Sequence, residues 1–535
     1  MRTKVSTIGL LLVVLVLIGV EGSNFTRLHH VRAELTSYGN EIPPAKKRLE
    51  TLWSHFRGPA NGRAFLADAP QPSLKLAWVL DLSDPNGDGK TDDAFFGDKN
   101  QTEAIGIAVR ADEHYLYLFN VNFYQIANHI FKVRQRDGQL VATANAGRSE
   151  SISNRHSFQL IDAPWSERIA FKGTFYEGTK MFRMTDLTGI PDSEVHIKFQ
   201  GHAQEGQRWG MGRLFFDGRG PLTKGEAPSY YWGSTPRLWE QEWTPLKKHP
   251  EVFKEFPRRS IPAQAWENGK MVLFTRTDFS TPATAIPIFH EHRYAVVDEA
   301  GNVLKDVVIE GLYKDTGKLS RREAGSDNNV VQAIALSPDG RYIYAHERPT
   351  ALSQHIVRRN LEDFSIEGAI TSLNSYTNGM WFNGKRRDGM AIGFAIDDQH
   401  LYLHTQDEVI AYDLTLSEII WKKRVRSRIL NAAVPYWASY VPDYSTLPNR
   451  GTENTIAATD GVIYYTTDIT LEARRAADGE LVWLHLFTDL PAKVSPQDMV
   501  LTDGRAPGDV ILTPGYVFVL THTNQSRLYA FERRT

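Results

Sequence analysis

The chain has 535 residues, of which 41% are hydrophobic and 23% charged, and a formal charge of −2. These values exclude a disordered, collagen-like or polytopic membrane chain, and a charge near zero gives no global field to gather nucleic acid. There is no cysteine, so disulfides, thiolate metal sites, c-type haem attachment and a cysteine nucleophile are excluded.

Arg2 and Lys4 precede an apolar run from Ile8 to Val20, which exits through Glu21-Gly22. A basic start before a short apolar core predicts a secretory signal over residues 1–22. The run is shorter than the roughly 20 residues that span a bilayer. The alternative is a retained anchor, with membrane contact confined to residues 8–20. Both readings export the body of the chain to the periplasm or the extracellular space. Residues 23–52 read as a polar linker containing Pro43-Pro44 and Lys46-Lys47-Arg48, and residues 53–535 as the folded domain.

Leu74–Asp81 (LKLAWVLD) reads as a lone strand. Asp84, Asn86, Asp88, Lys90, Asp92 and Asp93 follow, with Gly89 at the tight turn. Oxygen side chains at alternate positions around a glycine, with a lysine carbonyl between them, can converge on calcium. Phe95 stands where such a loop usually ends in a bidentate carboxylate, so an acidic solvated turn is the competing reading. HYLYLFN and IFKVRQRDGQLVAT then give three alternating strands within residues 105–144.

The pattern weakens over residues 150–330. Gly201–Pro262 is rich in aromatic residues and glycine. His202, Trp209, Arg213 and Trp232 there suit a ligand or partner surface, because tryptophan stacks on sugars and anchors interfaces. The other reading packs these aromatics onto the rim of the fold. His290-Glu-His292 places two imidazoles on one strand face, where His346, His404 or Glu347 would have to complete a metal site.

From Gln264 onward the strands recur. Ser337-Pro338-Asp339-Gly340 turns into RYIY, Asp397-Asp398 separates GFAI from HLYLH, and Asp460-Gly461 and Asp478-Gly479 punctuate the next unit. Leu273, Tyr344, Tyr402, Tyr464 and Phe518 mark second strands that return roughly every 60 residues, as four-stranded repeats do. Alternation along each strand predicts one buried face. The fold expected is an all-β, seven- or eight-bladed β-propeller of antiparallel four-stranded blades. The last unit is one strand short, and Leu74–Asp81 would close the ring by pairing with it.

LSEIIWKK (416–423), AADGELVWL (476–484) and RDGQLVAT (136–143) resemble the "ALDAxTGxxxW" turn of quinoprotein-like propellers. Trp53-x-x-Phe56-Arg57-Gly58-Pro59 resembles the "FRGP" start of exported proteins of that group. The resemblance covers residues 53–145 and 330–535. It implies the propeller fold and, for enzymes of the family, pyrroloquinoline quinone with calcium. Those enzymes stack a cysteine pair or a substitute on the quinone, and only Trp421 and Trp483 match the tryptophan turn here. The expected function is therefore a non-catalytic propeller binding a protein, glycan or small molecule, without nucleic acid. The alternative is a quinone- and calcium-dependent oxidoreductase. No G-x-S-x-G elbow, P-loop or G-x-G-x-x-G supports other chemistry.

Overall fold

The computed structural model describes residues 47–82, 84–85, 107–120, 128–147, 158–162, 168–173, 179–190, 258–279, 289–298, 303–309, 331–350, 353–374, 391–405, 408–425, 454–467, 470–487, 508–521 and 527–534. Arg48–Thr535 forms one unit. Among the described residues the regular structure is β-strand, apart from a 3-10 turn at Leu49–Thr51.

Among the described residues β1 (Leu74–Asp81) precedes seven sheets. Sheet 1 holds β2 (Ile107–Ala111), β3 (Tyr115–Asn120), β4 (Asn128–Arg134) and β5 (Leu140–Gly147). Sheet 2 holds β6 (Phe158–Asp162), β7 (Arg168–Gly173) and β8 (Thr179–Arg183). Sheet 3 holds β9 (Arg258–Glu267), β10 (Lys270–Phe279), β11 (Phe289–Asp298) and β12 (Val303–Val308). Sheet 4 holds β13 (Val331–Leu336), β14 (Tyr342–Thr350), β15 (Ser353–Asn360) and β16 (Ile366–Asn374). Sheet 5 holds β17 (Ala391–Ile396), β18 (His400–Thr405), β19 (Glu408–Asp413) and β20 (Ile419–Arg424). Sheet 6 holds β21 (Ile456–Thr459), β22 (Val462–Thr466), β23 (Thr470–Arg475) and β24 (Leu481–Leu486). Sheet 7 holds β25 (Asp509–Leu512), β26 (Tyr516–Leu520) and β27 (Arg527–Arg533), and β1 supplies its fourth strand.

Each sheet is an antiparallel meander, and the whole is a β-propeller. β1 closes the ring by pairing with β27 from Leu74↔Arg533 to Asp81↔Arg527. The second-strand residues Leu273, Tyr344, Tyr402, Tyr464 and Phe518 lie on β10, β14, β18, β22 and β26.

The expectation of one buried face per strand is corrected. β21 and β22 are buried at every residue, as are five of the six residues of β18. Fourth strands alternate or stay exposed, as in β20 and β24. The reason is the ring, since the inner strands of each sheet are covered by a neighbouring sheet on both sides. The apolar clusters accordingly sit between sheets 1 and 2, 3 and 4, 4 and 5, and along 5, 6, 7 and 1.

Neighbouring sheets also lock by shape. Trp421 of β20 donates its indole N–H to the Ala476 carbonyl at 2.7 Å and lies against Gly479. Trp78 of β1 donates to the Gln135 carbonyl at 2.8 Å and lies against Gly138. Both glycines have positive φ, and a Cβ on either would meet the indole at under 3 Å. The arrangement is inverted between sheets 4 and 5, where Gly368 of β16 faces the turn that carries Leu416. The large partner sits on the strand in two junctions and on the turn in the third. Trp78 thus belongs with Trp421, although it comes from outside the repeats. Trp483 has no such turn to meet, because β27 and β1 come from opposite ends of the chain; it packs edge-on against Phe531 instead.

Candidate functional site: the channel and its strap

First strands of a propeller leave one edge facing the central axis, and unpaired backbone there needs partners. Residues 48–72 supply them in chain order. Trp53 carbonyl accepts from Ala111 of sheet 1 at 2.7 Å, and Ser54 carbonyl from Leu160 of sheet 2 at 2.9 Å. Ala60 carbonyl accepts from Trp266 of sheet 3, Asn61 from Leu336 of sheet 4, and Arg63 from Ile396 of sheet 5. Ala64 and Leu66 bond both sides of Ala458 in sheet 6. The segment then passes to sheet 7 as β1. We call it the strap.

In sheets 1, 3, 4 and 5 the bonded residue closes or nearly closes its first strand, so the strap fills the mouth at the carboxyl ends of those strands. Trp53, Ser54, Arg57, Ala60 and Ala64 are buried. Gly62, at φ +73°, passes so close to β13 that a Cβ would lie 2.2 Å from the Ile334 carbonyl.

Arg57 crosses from the strap toward sheets 5 and 6. Its guanidinium lies over the Phe394 ring at 3.8 Å, donates to the Phe394 carbonyl, and reaches Asn454 Oδ1 at 3.3 Å. The Asn454 N–H donates to Asp509 Oδ1 at 2.8 Å. His404 Nδ1 and Thr455 Oγ1 are 2.7 Å apart, and the His404 ring meets Tyr465 edge-on. Tyr465 donates to Glu472, while Arg474 donates to both Tyr465 (2.7 Å) and Glu472 (3.0 Å).

A second buried assembly joins sheets 3 and 4. Tyr294 donates to Glu347 Oε1 at 2.7 Å, and Arg359 clamps both Glu347 oxygens at 2.7 and 2.9 Å. Burial, then the adjacent Glu347 charge, push the Tyr294 hydroxyl pKa well up. Burial works against the Arg359 cation, but its bonds to Glu347 outweigh this and raise its pKa.

The His404 imidazole pKa is pushed down to about 3 by burial, which outweighs its hydrogen bond to the Thr455 backbone. An unfolded histidine titrates near 6.5. Between these values the unfolded chain takes up a proton that the folded chain refuses. Stability is therefore lost as pH falls through this window, by about 2 kcal/mol at pH 5. His129 and His355, also lowered by burial, act in the same direction. His404→Gln is expected to flatten this part of the stability–pH curve in urea titrations. An unchanged slope would assign it elsewhere.

The residues singled out in the sequence are placed as follows. His202, Trp209, Arg213 and Trp232 lie outside the described residues. So do Asn86, Asp88, Lys90, Asp92 and Asp93, leaving Asp84 of that loop just after β1. His290 pairs with Asp278 in the β10–β11 ladder, but its side chain is outside the description. His292 is buried and stacks on Phe274 with centroids 5.6 Å apart. Glu347 is held by arginine and tyrosine, and among the described residues no three His, Asp or Glu side chains are grouped to hold an ion. The bonds of the strap arginines and the joining of Tyr294 to the Glu347–Arg359 pair are not legible in the sequence, because they run between different sheets.

No family model matches the chain, and no curated protein matches it. Among solved structures it is similar to the quinohemoprotein alcohol dehydrogenase of Comamonas testosteroni, at 10% identity and a TM-score of 0.48 over 92% of this chain and 82% of that one. A second, ADHIIG from Pseudomonas putida HK5, gives 10% identity and 0.39 over the same shares. BamB from Moraxella catarrhalis gives 8% identity and 0.31 over 86% of this chain and 98% of that one. No residue of these proteins is carried onto this chain. Among the described residues Asp509, Glu472 and Glu347 accept internal hydrogen bonds. No helix among the described residues is long and apolar enough to cross a membrane.

Proposed function

We propose that the chain is an exported, non-catalytic propeller that binds a protein, glycan or small molecule at the end opposite the strap. The observation that carries this reading is the asymmetry of the two ends. At the strap end the turns are tight, from Ala111 to Tyr115, Ile396 to His400 and Thr459 to Val462. The sheets that end at Gly147, Val308, Asn374, Arg424 and Leu486 finish their last strands at the other end. We assign the ligand surface to His202, Trp209, Arg213 and Trp232, which precede β9 in the sequence. Long connections on a rigid scaffold are where binding residues concentrate. The buried charges favour a scaffold role, being matched by internal partners rather than held for a substrate.

The test has two arms. Reconstitution with pyrroloquinoline quinone and calcium is expected to leave no bound quinone absorbance and no dye-linked alcohol oxidation; tight binding with turnover establishes the oxidoreductase instead. A glycan and peptide array is expected to give a ligand whose binding is weakened at least about tenfold by Trp209→Ala with Trp232→Ala, at unchanged melting temperature. Undiminished binding removes the ligand surface from these residues.

A further inference from the structure

Every described sheet but the seventh is drawn from one run of chain, as sheet 6 is from Ile456–Leu486. Such meanders rest on local contacts, which form early. Sheet 7 and the strap differ. Leu74 must find Arg533 at the far end of the chain. The strap must find sheets 1 to 6 in turn, through one or two backbone bonds to each. Its internal bonds are mostly short turns, such as Gly62 to Pro59 and Ala69 to Leu66, which fix no extended path by themselves. Its course is therefore set by the sheets and not by the strap.

Two arginines sharpen this dependence. Arg63 donates to the Leu336 and Ser337 carbonyls at the end of β13, at 2.9 and 3.0 Å, and pairs with Glu267 of sheet 3. Arg57 reaches the Phe394 carbonyl of sheet 5 and Asn454 at the entry to sheet 6. Both arginines are buried. A guanidinium taken out of water with half of its partners missing is costly. Each arginine thus docks favourably only where two neighbouring sheets already stand side by side. The end of the strap repeats the condition for sheets 6 and 7. Tyr464 of β22 donates to the Pro70 carbonyl at 2.6 Å, and the Arg534 amide donates to the Ser73 carbonyl at 2.9 Å.

We propose that the strap and β1 form one late clasp, which docks after the sheets have assembled and locks the ring in a single step. Closing a loop that joins the two ends of the chain costs entropy, and the bonds that offset it exist only once the sheets are in place. A chain that lacks β27 has nothing for β1 to pair with and stays open.

Pulsed hydrogen exchange during refolding of the full chain tests this, begun from a brief unfolding pulse so that proline isomers stay native. Peptides from β18 and β22 are expected to gain protection in the first phase. Peptides over residues 60–69 and over β1 are expected to gain it together, at least about tenfold more slowly. Protection of either in the first phase, or of the two in separate later phases, overturns the proposal. Arg57→Met and Arg63→Met supply the second arm. Each is expected to speed unfolding at least about tenfold and to change the first refolding phase less than about twofold, as for contacts absent from its transition state. A first phase slowed as much as unfolding is hastened puts the strap in the folding nucleus and also overturns it. If neither variant folds, the labelling of wild type decides alone.

Discussion

Gly62→Val is expected to destabilise the protein by about 4 kcal/mol, among the largest effects of any single substitution in the chain. Two costs combine. The residue sits at φ +73°, where a β-branched side chain is strained, and its Cβ would lie 2.2 Å from the Ile334 carbonyl. That contact is to backbone in the first strand of sheet 4, so it cannot be relieved by a side-chain rotation. The strap must lift there, and the adjacent bonds from Leu336 to Asn61 and from Ile396 to Arg63 weaken with it. Guanidinium unfolding measures the loss, and limited proteolysis within residues 48–72 reports whether the strap has come away. A loss below about 1 kcal/mol would mean that the strap is not held against β13 as described. Gly340 and Gly461 are informative controls, since a Cβ on either meets nothing within 4 Å, leaving only the conformational cost.

The strap also marks where the sequence stops being legible. The repeats were readable because alternation and Asp-Gly turns are local, and Leu74–Asp81 could be assigned to ring closure because it was a strand without a sheet. The strap has neither period nor regular structure. Its hydrogen bonds join residues up to about 400 positions apart, so nothing local distinguishes it from a linker. The resemblance pointed to Phe56-Arg57-Gly58-Pro59 as a motif, but the role of Arg57 depends on Phe394 and Asn454, two sheets that no spacing rule brings to it. Trp78 was hidden for a related reason. Counting tryptophan turns within repeats finds Trp421 and Trp483, yet the working docks are Trp421 and Trp78, one inside the repeats and one outside. The inversion at Gly368 and Leu416 is invisible to any motif that requires tryptophan on the strand. Shape complementarity across the junction is kept while residue identity is exchanged, which is what close packing demands.

Replacing Glu347 alone should be costly, and replacing its whole assembly should not. Glu347→Leu leaves the Arg359 guanidinium buried beside Tyr294 with its carboxylate gone, and breaking a buried pair in this way costs about 3–5 kcal/mol. The Arg359 bond to the Phe364 carbonyl at 2.7 Å holds the side chain in place, so it cannot readily swing to water. The triple variant Tyr294→Phe, Glu347→Leu, Arg359→Met removes all three polar groups and keeps the volume. It should recover most of the loss, because mutual attraction in such a cluster largely offsets the cost of taking its charges out of water. Unfolding midpoints of the single, double and triple variants form the cycle that measures this. If the triple variant is no better than Glu347→Leu, the assembly is a net source of stability. If Glu347→Leu is itself nearly neutral, Arg359 finds another partner and the clamp is not what joins sheets 3 and 4. The second outcome would reopen Glu347 and its neighbour His346 to a role beyond packing, since a carboxylate that is dispensable for stability yet buried between two sheets needs another reason to be there.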